Sequence, residues 1–155
     1  MKRNSDVTEI DLRSHLLNVC DSEYGANLLW LKFIRASTER PNGGQLASKA
    51  QEWLEHICGC YQVWIDRLEN HDGPRFSDLD SEFESVHKKL KDYVAHCDLN
   101  SLLESKDKER WSALSIIQHM QSHGSYHRGH LRALAEFHGL EDWPETDYLC
   151  FAPVE

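Results

Sequence analysis

Apolar residues return every three or four positions over four long stretches of this chain, a spacing that predicts four amphipathic helices. The first, from about Asp11 to Arg35, carries Leu12, Leu16, Val19, Tyr24, Leu28, Leu31 and Phe33. Pro41-Asn42-Gly43-Gly44 follows as the strongest turn signal. A second helix, from about Ser48 to Leu68, places Trp53, Leu54, Ile57, Cys60, Tyr61, Trp64, Ile65 and Leu68 on one stripe, and Asn70-His71-Asp72-Gly73-Pro74 is expected to end it. Phe83, Val86, Leu90, Tyr93 and Val94 mark a third helix from about Ser81 to Cys97, preceded by several possible caps between Ser77 and Glu82. The fourth should run from about Ser112 to His138, with Gly139 as its stop.

Between the third and fourth helices, Asp98 to Arg110 reads as a charged connection with room for one short turn near Leu102-Leu103. Trp143 to Tyr148 reads as an extended tail whose aromatics pack on the body. No strand-like alternation of useful length and no internal repeat is visible. The expected fold is all-α, an up-down four-helix bundle formed as a single domain over residues 1–155, with its ligand site between facing helices.

Charge and cysteine usage narrow the function. The chain has 155 residues and a net charge of −9, with 26 acidic against 17 basic side chains, so nucleic acid is not an expected partner. No apolar run reaches the roughly 20 residues that cross a bilayer, and nothing near the start resembles a signal peptide, so no membrane partner and a cytoplasmic location are expected. Five cysteines, an odd number without a framework of spacings, fit reduced thiols packed as small hydrophobes.

Histidine changes the picture most. Residues 118–130 hold His119, His123, His127 and His130 in about three helical turns. Four residues rotate a helical side chain by only about 40°, so His123 and His127 stand one above the other and could share a metal. His56 is the one histidine of the second helix; with Trp53, Cys60 and Trp64 on its stripe it is expected to face the core, as a third ligand or as a hydrogen-bonded core residue. Three neutral imidazoles from two helices would leave an open coordination position, the arrangement of catalytic sites. Spacing alone leaves open which three histidines bind; His119 and His130 are either outer partners of the site or exposed, and Cys60 either reaches the metal or packs as a small side chain. Arg128 points about 100° away from His127 and is expected to clamp an acidic neighbour or an anionic substrate. Gly124 and Gly129 weaken the same helix, a cost explained by a close approach of neighbouring groups or by simple tolerance.

Leu54-Glu55-His56-Ile57 with Trp64-Ile65-Asp66-Arg67-Leu68, followed by His123-Gly124-Ser125-Tyr126-His127-Arg128-Gly129, resembles the DinB-like family, the YfiT-type or damage-inducible four-helix-bundle metalloenzymes. The order and spacing extend over nearly the whole chain. The resemblance implies that His56, His123 and His127 form a metal triad for zinc or nickel with water on the open side, and that the bundle pairs into a homodimer. It further implies transfer of a low-molecular-weight thiol to an electrophile, or hydrolysis. The family usually has glutamine after Arg-Gly, where this chain has His130.

The leading expectation is therefore a metal-dependent transferase or hydrolase for a small-molecule substrate, in which the metal activates a thiol cosubstrate or a water. In the thiol-transfer version Arg128 meets the cofactor's carboxylates; in the hydrolytic version an acid or His130 moves protons. A non-catalytic metal-binding stress-response bundle is the alternative, and a metal-free interaction module the third reading.

Overall fold

Asp11, Asp78 and Ser112 each turn a side-chain oxygen onto the backbone N–H three residues ahead, and so fix where three of the four helices begin. The computed structural model describes residues 11–69, 78–104 and 108–151. Among these, α1 spans Leu12–Ser37, α2 Gly43–Glu69, α3 Leu79–His96 and α4 Ala113–Phe137. The second helix starts a turn earlier than its apolar stripe suggests: Asn42 adopts a positive φ of 64° and Gly43 is already helical. Leu46 and Ala50 are fully buried there and carry the core stripe back past the glycines, so packing outweighs their weak helix propensity. The segment expected to stop α2, Asn70 to Pro74, lies outside the described residues. At the end of α4, Gly139 takes φ 74°, and the Leu140 N–H returns to the carbonyl of Ala135, closing the helix as expected of a glycine in that place.

Contacts set the helix directions. Arg13, near the start of α1, donates to the carbonyls of Val94 and Cys97 at the end of α3, while Arg35, near the end of α1, pairs with Asp80 at the start of α3. Those two helices are antiparallel. The short turn after Ser37 returns α2 antiparallel to α1, and Tyr61 meets Glu23 across the pair. It follows that α2 and α3 are parallel: Glu55 shares a cavity with Asp78 and Glu82, and Glu69 shares another with Lys88 and Asp92. Finally α4 opposes α2, with His127 across from His56 and His119 across from Trp64. The bundle thus runs up, down, down, up, which corrects the expected up-down alternation. A second consequence is that α4 packs on α2 and α1, and the chain must cross the bundle after α3.

That crossing carries a small hairpin where only a turn was expected. Strands β1, Leu102–Glu104, and β2, Arg110–Ser112, pair antiparallel with Leu103 opposite Trp111 and Glu104 opposite Arg110. Three-residue strands are too short for alternation to reveal them; folding back places Leu103 and Trp111 against the core and lets Arg110 Nε donate to Glu104 at 2.8 Å. The tail behaves as its aromatics predict: Trp143 lies under the Arg132 guanidinium, Trp30 Nε1 donates to Thr146, and Tyr148 opens a short 3-10 turn ending at Cys150. One continuous core unites Trp30, Leu54, Ile57, Ile65, Phe83, Val94, Ile116, Met120 and Leu131. No helix among the described residues is long and apolar enough to cross a membrane, and Cys20, Cys60, Cys97 and Cys150 are free thiols.

Candidate metal centre

The buried stripe of α2 runs through Leu46, Ala50, Leu54, Ile57, Tyr61 and Ile65, and His56 lies off it. The expectation that His56 faces the core is therefore corrected: it is exposed, on a flanking edge with the half-buried Trp53, Cys60 and Trp64. Its stripe-mates are a second row, displaced around the helix from the true core row, and the row faces the seam with α4. On α4 the buried face includes Met120, Gly124, His127 and Leu131, and His123 stands half-buried at its margin.

Across this seam the three imidazoles converge. Ring centroids are separated by 4.4 Å for His123 and His127, 4.7 Å for His56 and His127, and 5.1 Å for His56 and His123. One nitrogen from each can be chosen so that all three lie within 4.8 Å of one another. The Nε2 of His123 is buried and has no hydrogen-bond partner among the described residues, an arrangement that costs free energy unless another group satisfies the lone pair. Nδ1 of His127 lies 3.4 Å from Nδ1 of His130; in the tautomer in which His127 donates there, its lone pair is on Nε2.

Electrostatics keep the two α4 rings, His123 and His127, neutral. Burial, and then the neighbouring His127, His56 and His119, lower the His123 pKa to about 4. Burial also lowers His127, helped by His56 and His130. Neutral imidazoles present lone pairs, and together with His56 from the facing helix these two form a possible three-histidine metal-binding group. Aromatic walls surround it: Trp53 stacks on His127 at 4.8 Å and 28°, and the Tyr126 ring stands edge-on to His130 at 4.5 Å.

Behind the histidines a buried polar cluster fixes the rotation of α4. Arg128 Nη2 and Nη1 donate to the two carboxylate oxygens of Glu23 at 2.6 and 2.8 Å, and Nη1 also donates to Asn27 Oδ1 at 3.0 Å. Tyr61 donates its hydroxyl to Glu23 Oε2 at 2.7 Å. Burial works against the Arg128 charge, but the Glu23 carboxylate outweighs it and raises the guanidinium pKa. Burial and then the Glu23 charge push Tyr61 well above the ordinary phenol range, so it stays a donor. Of the two roles expected for Arg128, the structure realises the clamp on an acidic neighbour. Its guanidinium is turned toward α1, beside a cavity of about 220 Å³ between α1, α4 and the tail, and away from the triad.

Gly124 is where this cluster touches α4. A Cβ there would lie 2.1 Å from the Tyr61 hydroxyl and 2.4 Å from Glu23 Oε2, so the close approach expected for a glycine in this helix is real. At Gly129 nothing lies within 4 Å, and simple tolerance accounts for it. Glu23, Asn27 and Tyr61 were not singled out by the sequence reading. A signal existed for two of them: Val19, Glu23, Ala26, Asn27 and Trp30 share one helical face, which puts a carboxylate and an amide on an apolar stripe. His119 is exposed and edge-on to Trp64 at 5.7 Å, while Cys60 is half-buried one turn beyond His56.

Compared with protein-family models, with curated proteins and with solved structures, the chain matches none.

Proposed function

We propose that this chain is a metal-dependent enzyme in which His56, His123 and His127 hold a divalent ion, zinc or nickel, and act on a small substrate by thiol transfer or hydrolysis. The observation that carries the reading is the convergence of three imidazoles around a buried, unpartnered His123 Nε2. An unpartnered buried ring nitrogen at that position can present its lone pair to a cation. When bound, a divalent ion with an open position supplies Lewis acidity, which favours the deprotonated form of a water or a low-molecular-weight thiol. The resemblance of the second- and fourth-helix motifs to DinB-like bundles supports the same choice, and on that ground we assign the chain to that family as a cytoplasmic homodimer.

The protein's own residues divide the work. His127, held by Trp53 and His130, supplies the buried and most rigid donor. Exposed His56 leaves the solvent side accessible to a small substrate. His130 is assigned to carry protons between the site and solvent. The Arg128–Glu23 pair does not touch the substrate; it holds α4 so that His123 and His127 face α2.

Elemental analysis of tag-free protein, after dialysis against a mild chelator, tests the assignment. Near-stoichiometric metal is expected in the wild type, with loss in His56→Ala, His123→Ala and His127→Ala. Failure of the wild type to take up metal, or equal retention in all three variants, would overturn it. Turnover on a panel of thiol-transfer and ester substrates, abolished by chelation and restored by zinc or nickel, is the expected catalytic result. Metal binding with no turnover on the panel replaces the enzyme by a non-catalytic metal-binding bundle.

A further inference from the structure

The antiparallel pairing of α2 and α4 does more than gather one set of ligands. On α2 the residue four positions after His56 is Cys60; on α4 the residue four positions before His123 is His119. Because the helices run in opposite directions, advancing a turn on α2 meets retreating a turn on α4, and the donor row repeats about 6 Å along the seam. The repeat is realised: ligand atoms of Cys60, His119 and His123 all lie within 4.8 Å of one another, as those of His56, His123 and His127 do. His123 belongs to both groups. Trp64 closes the far side, edge-on to both His119 and Trp111. Each group has one exposed member, His119 in the one and His56 in the other.

We propose that Cys60, His119 and His123 form a second metal seat, suited to thiophilic divalent ions such as zinc or cadmium, that competes with the triad for His123. It deepens the metal reading above, since the two seats share a ligand, but its own donor set is distinct. A thiolate replaces one imidazole, and softer ligands shift preference toward softer ions. Binding displaces the Cys60 thiol proton to solvent, and no other bond is made or broken besides those to the ion. A neutral imidazole has one free lone pair, so His123 serves one seat at a time.

Cobalt(II), added without oxygen to the full-length reduced protein, reads the two seats separately, because a thiolate ligand gives a near-ultraviolet charge-transfer band that imidazoles do not. His56→Ala weakens the triad at an exposed position, and His56→Gln repeats the test with a similar volume. The expected result is a thiolate band in either variant, lost in His56→Ala/Cys60→Ser and in His123→Ala. Cys60→Ser alone should bind cobalt with visible bands but no thiolate band. With native helical circular dichroism, absence of the thiolate band in both His56 variants, or its persistence in the double variant, overturns the second seat. Failure of Cys60→Ser to bind cobalt instead overturns the triad. In the wild type, saturation at about one cobalt per chain is expected from the single His123 lone pair, and saturation at two refutes the shared ligand. A thiolate band with cadmium in the wild type is expected; its absence removes the thiophilic preference.

Discussion

Alanine at Gly124 and alanine at Gly129 should change stability in opposite directions, although both replace a glycine inside the same helix. Helix propensity alone favours alanine at either position by about 1 kcal/mol. At Gly129 no heavy atom lies within 4 Å of the added Cβ, so that gain should appear nearly whole. At Gly124 the Cβ would sit 2.1 Å from the Tyr61 hydroxyl, 2.4 Å from Glu23 Oε2 and 2.9 Å from Arg128 Nη1. Each is the end of a side chain, but the three are buried and bonded to one another, so none can leave alone. Tyr61 would have to retreat by more than about 1 Å to reach ordinary contact near 3.5 Å. That displacement stretches the Tyr61–Glu23 or Arg128–Glu23 hydrogen bonds out of range; a charged hydrogen bond contributes about 1.5–3 kcal/mol, and overpacking costs about 1–3 kcal/mol. Strain wins over propensity, for a net loss of about 1.5–5 kcal/mol at Gly124. Urea unfolding followed by circular dichroism and tryptophan fluorescence measures both variants. For a chain of this size each kcal/mol moves the melting temperature by about 2–4 °C, so the two variants should separate clearly. If Gly124→Ala is as stable as Gly129→Ala, the polar cluster does not press on α4 and the account of how α4 is held is wrong.

Removing the charge partner should be costlier still. Arg128→Met strands a buried Glu23 carboxylate and is expected to destabilise by about 3–5 kcal/mol, whereas adding Glu23→Gln should restore much of the loss; single and double variants that add independently in urea unfolding would contradict the pairing. Thiol reactivity should follow burial. Cys20 is 3% exposed, and burial pushes its pKa up to about 12. The raised value keeps the thiol protonated, leaving roughly one molecule in ten thousand as thiolate at pH 8. A pulse of iodoacetamide at that pH, read by mass spectrometry, should label exposed Cys150 and spare Cys20 until urea unfolds the chain; prompt labelling of Cys20 would place it outside the core.

The structure explains why α4 tolerates four histidines, of which only His127 is buried. Its remaining turns supply Ile116, Ile117, Met120, Leu131 and Ala135 to the core, so hydrophobic packing holds the helix without the histidine row. Arg128 then sets the rotation that the apolar residues alone leave loose, by reaching across to α1. The tryptophans are divided in the same way: Trp30 is buried in the core, while Trp53, Trp64 and Trp111 line the seam that bears the histidines.

Much of this was legible from local pattern. Spacing of three and four specifies helices wherever an apolar face must be buried, so the four elements and their approximate limits follow from residues near one another in the chain. Caps at Asp11, Asp78 and Ser112, and the stop at Gly139, act within a turn and are equally readable. The pairing of His123 with His127 on one face is a property of the helix itself. Direction and rotation are not. Whether α3 runs with or against α2 leaves every apolar period unchanged, and only contacts such as Arg13 with Cys97 and Arg35 with Asp80 decide it. His56 could be read as a core residue because its row lies beside the buried row; the placement of α4 turned that row into one wall of an open seam. The partnership of Glu23 with Arg128 joins residues 105 positions apart, and no local rule ties their identities together. Helix formation is decided by neighbours within a few residues, but a metal site between helices depends on which faces meet, and that is decided by the packing of the whole bundle.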